Sequence, residues 1–318
     1  MHVVVEVALP VFALILVGWL AGRTGLLGQE SSVALNRFVY YFALPAVLFL
    51  AMARRPLGEI FNLSFVGAFL GSMLIVYLLG WLIGMATRRE DQATHSMQAL
   101  TASFSNTGYM GIPLFIAAFG GGERLLPALL GTVIMSAVMV GIAVIAMELV
   151  GSAKHGIGHA LGDVAKALAR NPLVLSTLAG LAWSASGWGV PKPLATFCEL
   201  MGAAAGPGAL FAIGLFLAGR PLTVNWREVS WLVALKLLVH PALAWWLMWL
   251  WFPMDPFWTA ATMLLAALPT GALTFVVASQ YGVYVERTSQ AILISTIFSV
   301  PTLSALLWVF VGDGVRPH

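Results

Sequence analysis

The sequence predicts an all-α polytopic membrane protein, with ten transmembrane helices in two inverted five-helix repeats, on three observations. Of the 318 residues, 60% are hydrophobic and only 9% are charged, and the mean hydropathy is +0.92. Uncharged apolar runs of about 20 residues, the length a helix needs to cross a bilayer, recur along the whole chain. Glycines and prolines recur at a nearly constant offset between the two halves. No soluble domain has this composition.

Ten spans can be read, at roughly 5–22, 34–52, 63–86, 94–119, 124–150, 171–187, 198–219, 227–252, 256–280 and 287–311. The first has no basic n-region and no small-residue cleavage site before it, so it is expected to be a membrane helix and not a removable signal. Residues 1–150 then form a first repeat, 151–170 a linker and 171–318 a second repeat. The linker carries Lys154, His155, His159, Asp163, Lys166 and Arg170 and reads as an amphipathic segment at the interface. Connections on its side of the membrane hold Arg23, Arg37, Arg88, Arg89, Lys154, Lys166, Arg170, Arg220, Arg227 and Arg287. The other side holds Arg54, Arg55, Arg124, Lys192 and Arg316. The positive-inside bias therefore puts the linker in the cytoplasm and both termini outside. Trp183, Trp188, Trp249 and Trp251 fall where the outer interface is expected.

The net charge is +3, but the basic residues are scattered between apolar segments, so they read as topology signals and not as a nucleic-acid-binding stripe. A single cysteine, Cys198, excludes an intrachain disulfide, and no metal-ligand pattern appears, so no cofactor or metal is expected.

The repeat rests on ordered matches. Pro10, Gly18 and Pro45 recur as Pro172, Gly180 and Pro207, each 162 residues on (172 − 10, 180 − 18, 207 − 45). Arg55-Pro56-Leu57 recurs as Arg220-Pro221-Leu222, and Thr107-Gly108 as Thr270-Gly271. Five helices per repeat is an odd number, which makes the halves inverted. The fourth span of each repeat is interrupted: Asn106, Gly108, Gly111 and Pro113 break one, Pro269 and Gly271 the other. Broken helices at membrane depth are tolerated where the freed backbone is buried in protein or lines a polar cavity. Two of them related by an in-plane pseudo-two-fold cross near the midplane, with half-helix N-termini suited to an anion.

Four blocks carry a family resemblance: NRFVYYFALPAVLF (Asn36 to Phe49), SNTGYMGIPL (Ser105 to Leu114), KLLVHP (Lys236 to Pro241) and LPTGALTFVVASQYG (Leu268 to Gly282). In this order they resemble the auxin efflux carrier family, compact bacterial type, over nearly the whole chain. The resemblance implies a fold like that of bile acid sodium symporters. Spans 1, 2, 6 and 7 would form a scaffold, and spans 3–5 and 8–10 a transport domain with crossing spans 4 and 9. It also implies a small organic anion as substrate, such as a carboxylate or an auxin-like acid, a bacterial inner-membrane location and a homodimer through the scaffold. One departure is Leu273, where many bacterial members have asparagine. The contribution of span 9 then falls to Thr270, Thr274 and backbone groups.

Each candidate residue has a plain reading beside the functional one. Asn106, with two amide donors and one acceptor, either holds a carboxylate or ties off loose backbone. Thr107 and Thr270 either point hydroxyls into the crossing or bond back to their own helices. Gly108, Gly111, Pro113, Pro269 and Gly271 shape the crossover, and with Thr274 complete the expected substrate site. Lys236 lies well inside a span, where a charge is costly. It either neutralises the substrate, or holds break carbonyls in place of a coupling cation, or snorkels to the interface. His240, one turn on, either relays protons or is a structural hydrogen-bonder. Gln280 and Tyr281 close span 9 and are candidate gates. Glu148 and Glu199 are expected at interfaces, and His95 and Gln98 at an entrance. Gly67 with Gly71, Gly80 with Gly84, and Gly202 with Gly206 have the spacing of close helix packing.

These readings converge on a secondary transporter working by alternating access in the lipid bilayer, with proton coupling, sodium coupling and uniport all open. An anion channel or a transporter-like sensor is the alternative. An intramembrane enzyme is not expected, because no serine with a catalytically spaced histidine or lysine, no paired intramembrane acids and no metal motif occur.

Overall fold

A backbone in hydrocarbon finds no water to bond, so the apolar runs must satisfy their polar groups internally, as helices do. The computed structural model describes residues 9–54, 62–87, 91–120, 122–135, 169–219 and 226–312, with the single residues 138, 142, 162, 165 and 166. Among these residues there are only helices, turns and one isolated two-residue bridge.

The first half contains α1 (Leu9–Arg23), α2 (Gln29–Phe38), α3 (Leu44–Ala53), α4 (Leu63–Thr87), α5 (Gln92–Ser103), α6 (Ile112–Phe119) and α7 (Leu126–Ile134). The second contains α8 (Pro172–Ala185), α9 (Lys192–Ala203), α10 (Ala205–Ala218), α11 (Trp226–Ala234), α12 (His240–Leu250), α13 (Pro256–Ala266), α14 (Leu273–Tyr281) and α15 (Val285–Gly312). Among the described residues five stretches are long and apolar enough to cross a membrane: Glu30–Ala53, Leu63–Thr87, Lys192–Ala218, Trp226–Leu250 and Val285–Val311. Leu9–Arg23, Thr107–Phe119, Pro172–Ala185 and Pro256–Ala266 are shorter apolar helices.

The described helices fall within or close to the expected spans. The seventh begins earlier than expected, at Lys192, because Pro191 and Pro193 open it; a proline in the first turn has no N–H there to lose. Of the fifth span, most residues after Met135 lie outside the described residues, including Glu148. So do Lys154, His155, His159 and Asp163 of the linker, and the motifs Arg55-Pro56-Leu57 and Arg220-Pro221-Leu222.

Proline also explains the local shape of the long rods. Three π-helical turns, Val39–Ala43, Thr107–Gly111 and Leu235–Val239, each end two residues before a proline: Pro45, Pro113 and Pro241. A proline cannot donate to the carbonyl four residues back, and its ring crowds that carbonyl. Here that carbonyl sits at the centre of each turn, and one residue of widening relieves the crowding.

In a bilayer, helix association rests on close packing and polar ties more than on the removal of apolar area from water. α1 lies along α10, and α8 lies along α3. Glycine permits both approaches: a Cβ at Gly18 would collide with the Phe211 carbonyl, and one at Gly180 with the Phe49 carbonyl. The two contacts share one offset, since 180 − 18 and 211 − 49 are both 162. α4 packs on α5 and α12, and fully buried Phe65, Phe69, Phe115, Met73, Met97 and Met110 fill the interior around them. Glu199 is exposed and pairs with Arg54 at 2.6 Å, joining α9 to α3. Such an exposed pair adds about 1 kcal/mol at most.

Candidate functional site

The two interrupted spans meet at their breaks. Ser105 and Thr270 form the antiparallel bridge. On either side of it, the Asn106 N–H donates to the Pro269 carbonyl at 3.0 Å, and the Gly271 N–H donates to the Phe104 carbonyl at 3.0 Å. An offset of 165 converts one bond into the other (271 − 106, 269 − 104). Each break thus satisfies backbone groups that the other leaves open, as buried amides and carbonyls require.

Asn106 is 3% exposed. Its backbone carbonyl accepts from the N–H groups of Met110 and Gly111 at 3.1 and 2.9 Å, which closes the start of the π turn. Its side chain makes no capping bond. The structural tie is therefore made by main chain, and the side-chain amide is not engaged in it. Thr107 is buried beside it, with its N–H on the Ser105 carbonyl at 2.8 Å. Gly108 lets Thr132 and Leu44 approach the turn, since an added Cβ would lie 3.3 and 3.7 Å from their side chains. Pro113, in the first turn of α6, packs against Gly206 of α10.

On the other break the hydroxyls are already committed. Thr270 donates through Oγ1 to the Thr101 carbonyl at 3.0 Å, and its N–H donates to Ser295 Oγ at 3.1 Å. Thr274 Oγ1 donates to the Gly271 carbonyl at 2.7 Å. A hydroxyl has one proton, so neither can donate to a carboxylate while these bonds stand. Gly271 is needed because the Phe104 ring lies 2.6 Å from where its Cβ would be.

Lys236 is fully buried and does not snorkel. Its Nζ donates to the carbonyl of Ala266, the last residue of α13, at 2.6 Å. It also lies 3.0 Å from His240 Nδ1, the contact expected of residues four apart on one helical face. With Nζ as donor, Nδ1 is the acceptor and the ring proton is assigned to Nε2, a buried atom without a hydrogen-bond partner. The imidazole stacks on Phe69 with centroids 6.2 Å apart. The carbonyl of Thr101, in the last turn of α5, and that of Ala266, at the end of α13, are again 165 apart; a threonine holds one and a lysine the other.

Not every expected residue converges on the crossing. Tyr281 closes α14, a nine-residue helix about 13 Å long, at the end away from the break. The Gln280 side chain lies outside the described residues. His95 and Gln98 are buried, and the cap of α5 is Asp91, which accepts from the Thr94 N–H at 2.8 Å. That bond holds the Asp91 carboxyl below the usual carboxylate range. The sequence reading missed Ser105, Thr101, Thr132 and Ser295. Ser105 Oγ is buried without a partner at the centre of the crossing. Thr132 and Ser295 each stand by one break and are 163 residues apart, as are Thr107 and Thr270, so the repeat offset was a usable signal for them.

The sequence matches a family model described as membrane transport protein in two segments, residues 3–161 and 157–308. It is 35% identical over 309 residues to a protein of Rhizobium meliloti named "Putative malonate transporter", covering 97% of this chain and 96% of that one. It is 27% identical over 309 residues to an uncharacterized transporter of Methanothermobacter thermautotrophicus, covering 95% and 96%. Auxin efflux carrier component 6 of Arabidopsis thaliana is 28% identical over 167 residues, 47% of this chain and 27% of that protein.

Proposed function

The chain belongs to the membrane transport protein family, and from that premise we propose that it is a secondary transporter moving a small carboxylate across the membrane by alternating access. The observation that carries this reading is the state of Asn106. Its amide lies at the crossing of two broken helices, yet makes none of the bonds that close the break. An amide that is buried and not needed for structure is the group best suited to meet a carboxylate oxygen, with the N-terminus of the π turn and α6 adding partial positive charge. The name of the Rhizobium meliloti relative makes malonate the first substrate to try.

Lys236 completes the site from the other side. By bonding the Ala266 carbonyl it places a hydrogen-bond donor at the end of α13, in the position a coupling cation would take. We therefore expect transport without a sodium requirement. Thr270 and Thr274 keep the second break in shape, and the helix contributes backbone groups to the anion.

The arrangement in two inverted five-helix repeats belongs to the same proposal. It is supported by the paired contacts of Gly18 with Phe211 and Gly180 with Phe49, and by the exchanged hydrogen bonds at the breaks. The scaffold of spans 1, 2, 6 and 7 and the homodimer through it rest on the family resemblance, and both termini outside rest on the charge bias. Uptake by proteoliposomes tests the reading, using mono- and dicarboxylates and indole-3-acetate under imposed sodium, proton and voltage gradients. Saturable uptake of a small carboxylate that persists without sodium is expected. No uptake of any anion by folded protein would refute it.

A further inference from the structure

Glu228 stands on the third residue of α11 and is 3% exposed. A carboxylate in the first turn of a helix is favoured by the helix dipole, but burial has to be offset by partners. It has them on two other helical segments. Gln98 of α5 donates through Nε2 at 2.7 Å. From the start of α15, the Tyr284 hydroxyl donates to Oε1, and Arg287 lies 3.4 Å from Oε1 and 3.3 Å from Oε2.

The orientation of Gln98 follows from the chemistry of its neighbour. A carboxylate only accepts, so Nε2 faces Glu228 and Oε1 faces His95 Nδ1 at 3.2 Å, which must then carry the ring proton. α4 presses on the same amide, because a Cβ at Gly84 would collide with Gln98 Oε1. Four elements, α4, α5, α11 and α15, thus meet at one buried carboxylate. The node grips α5 at Gln98, the seventh of its 12 residues, and the helix ends at the crossing: from Gln98 to Ser103 it is a rod of about 8 Å that leads to Asn106.

We propose that Glu228 is a positioning residue for transport, acting through Gln98 to fix the axial placement of α5 and hence of Asn106. The proposal rests on the transport reading above. A displacement at the node is carried along the rod to the substrate amide, so losing Glu228 impairs anion recognition from a distance.

The experiment is the concentration dependence of radiolabelled malonate uptake in proteoliposomes, for wild type, Glu228→Gln, Glu228→Ala, Gln98→Ala and the Glu228→Ala/Gln98→Ala double variant, each normalised to folded protein. The expected result is a KM raised about tenfold in Glu228→Ala and less in Glu228→Gln, whose amide oxygen still accepts one bond. Gln98→Ala raises KM too, and the double variant is no worse than Glu228→Ala, because both act on one path. Wild-type KM in Glu228→Gln and Gln98→Ala, with only yield or Tm lowered, overturns the proposal even if Glu228→Ala does not fold. Absence of wild-type flux with malonate and with each of the other anions named above refutes the transport reading itself, and this proposal with it.

Discussion

Side chains at the crossing divide into those that hold the backbone and those that do not, Asn106 and Ser105 among the latter. Thr270 belongs to the first group. Thr270→Val removes the donor to the Thr101 carbonyl and leaves that buried carbonyl unpaired, so a loss of about 1–3 kcal/mol is expected in detergent unfolding. Asp91 gives a second test at this scale. Its folded-state pKa is lowered by the Thr94 N–H, so its contribution is present above the ordinary carboxylate range and fades as pH falls through the lowered value. In Asp91→Asn the cap geometry is kept and the titration removed. The stability advantage of wild type over Asp91→Asn is therefore expected to shrink between pH 6 and pH 3, and a constant difference would contradict it. At this scale the sequence was only partly legible. Asn106, Lys236 and the breakers stood out because polar and helix-breaking residues are conspicuous in apolar runs. That the hydroxyls of Thr270 and Thr274 are taken by carbonyls was not readable, since the carbonyl Thr270 holds lies 169 residues away. Glu228 was overlooked because one acid near a helix start resembles an interfacial charge; its partners lie 56 to 130 residues away.

Among the elements, those described lie in or near the spans read from hydropathy, since length and apolarity dictate where a bilayer helix can form. Their local deviations were less visible. Three π turns precede three prolines, and the prolines alone mark a disturbance without saying whether it will be a kink, a break or a widening. Gly18 and Gly180 were legible as repeat anchors but not as the points where helices meet. Gly18→Ala and Gly180→Ala each drive a methyl group into a facing backbone carbonyl, which cannot move as a side chain would. Both variants are expected to lower the Tm markedly, whereas Gly189→Ala, with nothing within 4 Å, should leave it unchanged. Equal Tm values for all three would mean that the α1–α10 and α3–α8 contacts are not as close as described.

For the molecule as a whole, the pieces make one arrangement. Long apolar helices accompany two that are broken, the breaks bond each other, and Lys236 holds the carbonyl that ends α13. In the proposed function the Asn106 amide meets the anion, at the place where the two breaks bond each other. The most direct test is counterflow: proteoliposomes loaded with unlabelled malonate, with radiolabelled malonate outside, for wild type and Asn106→Ala at equal amounts of folded protein. The expected result is transient accumulation of label by wild type and at least a tenfold loss in Asn106→Ala with little change in Tm. Wild-type counterflow by Asn106→Ala, or label entering at a rate that internal malonate does not affect, would contradict it.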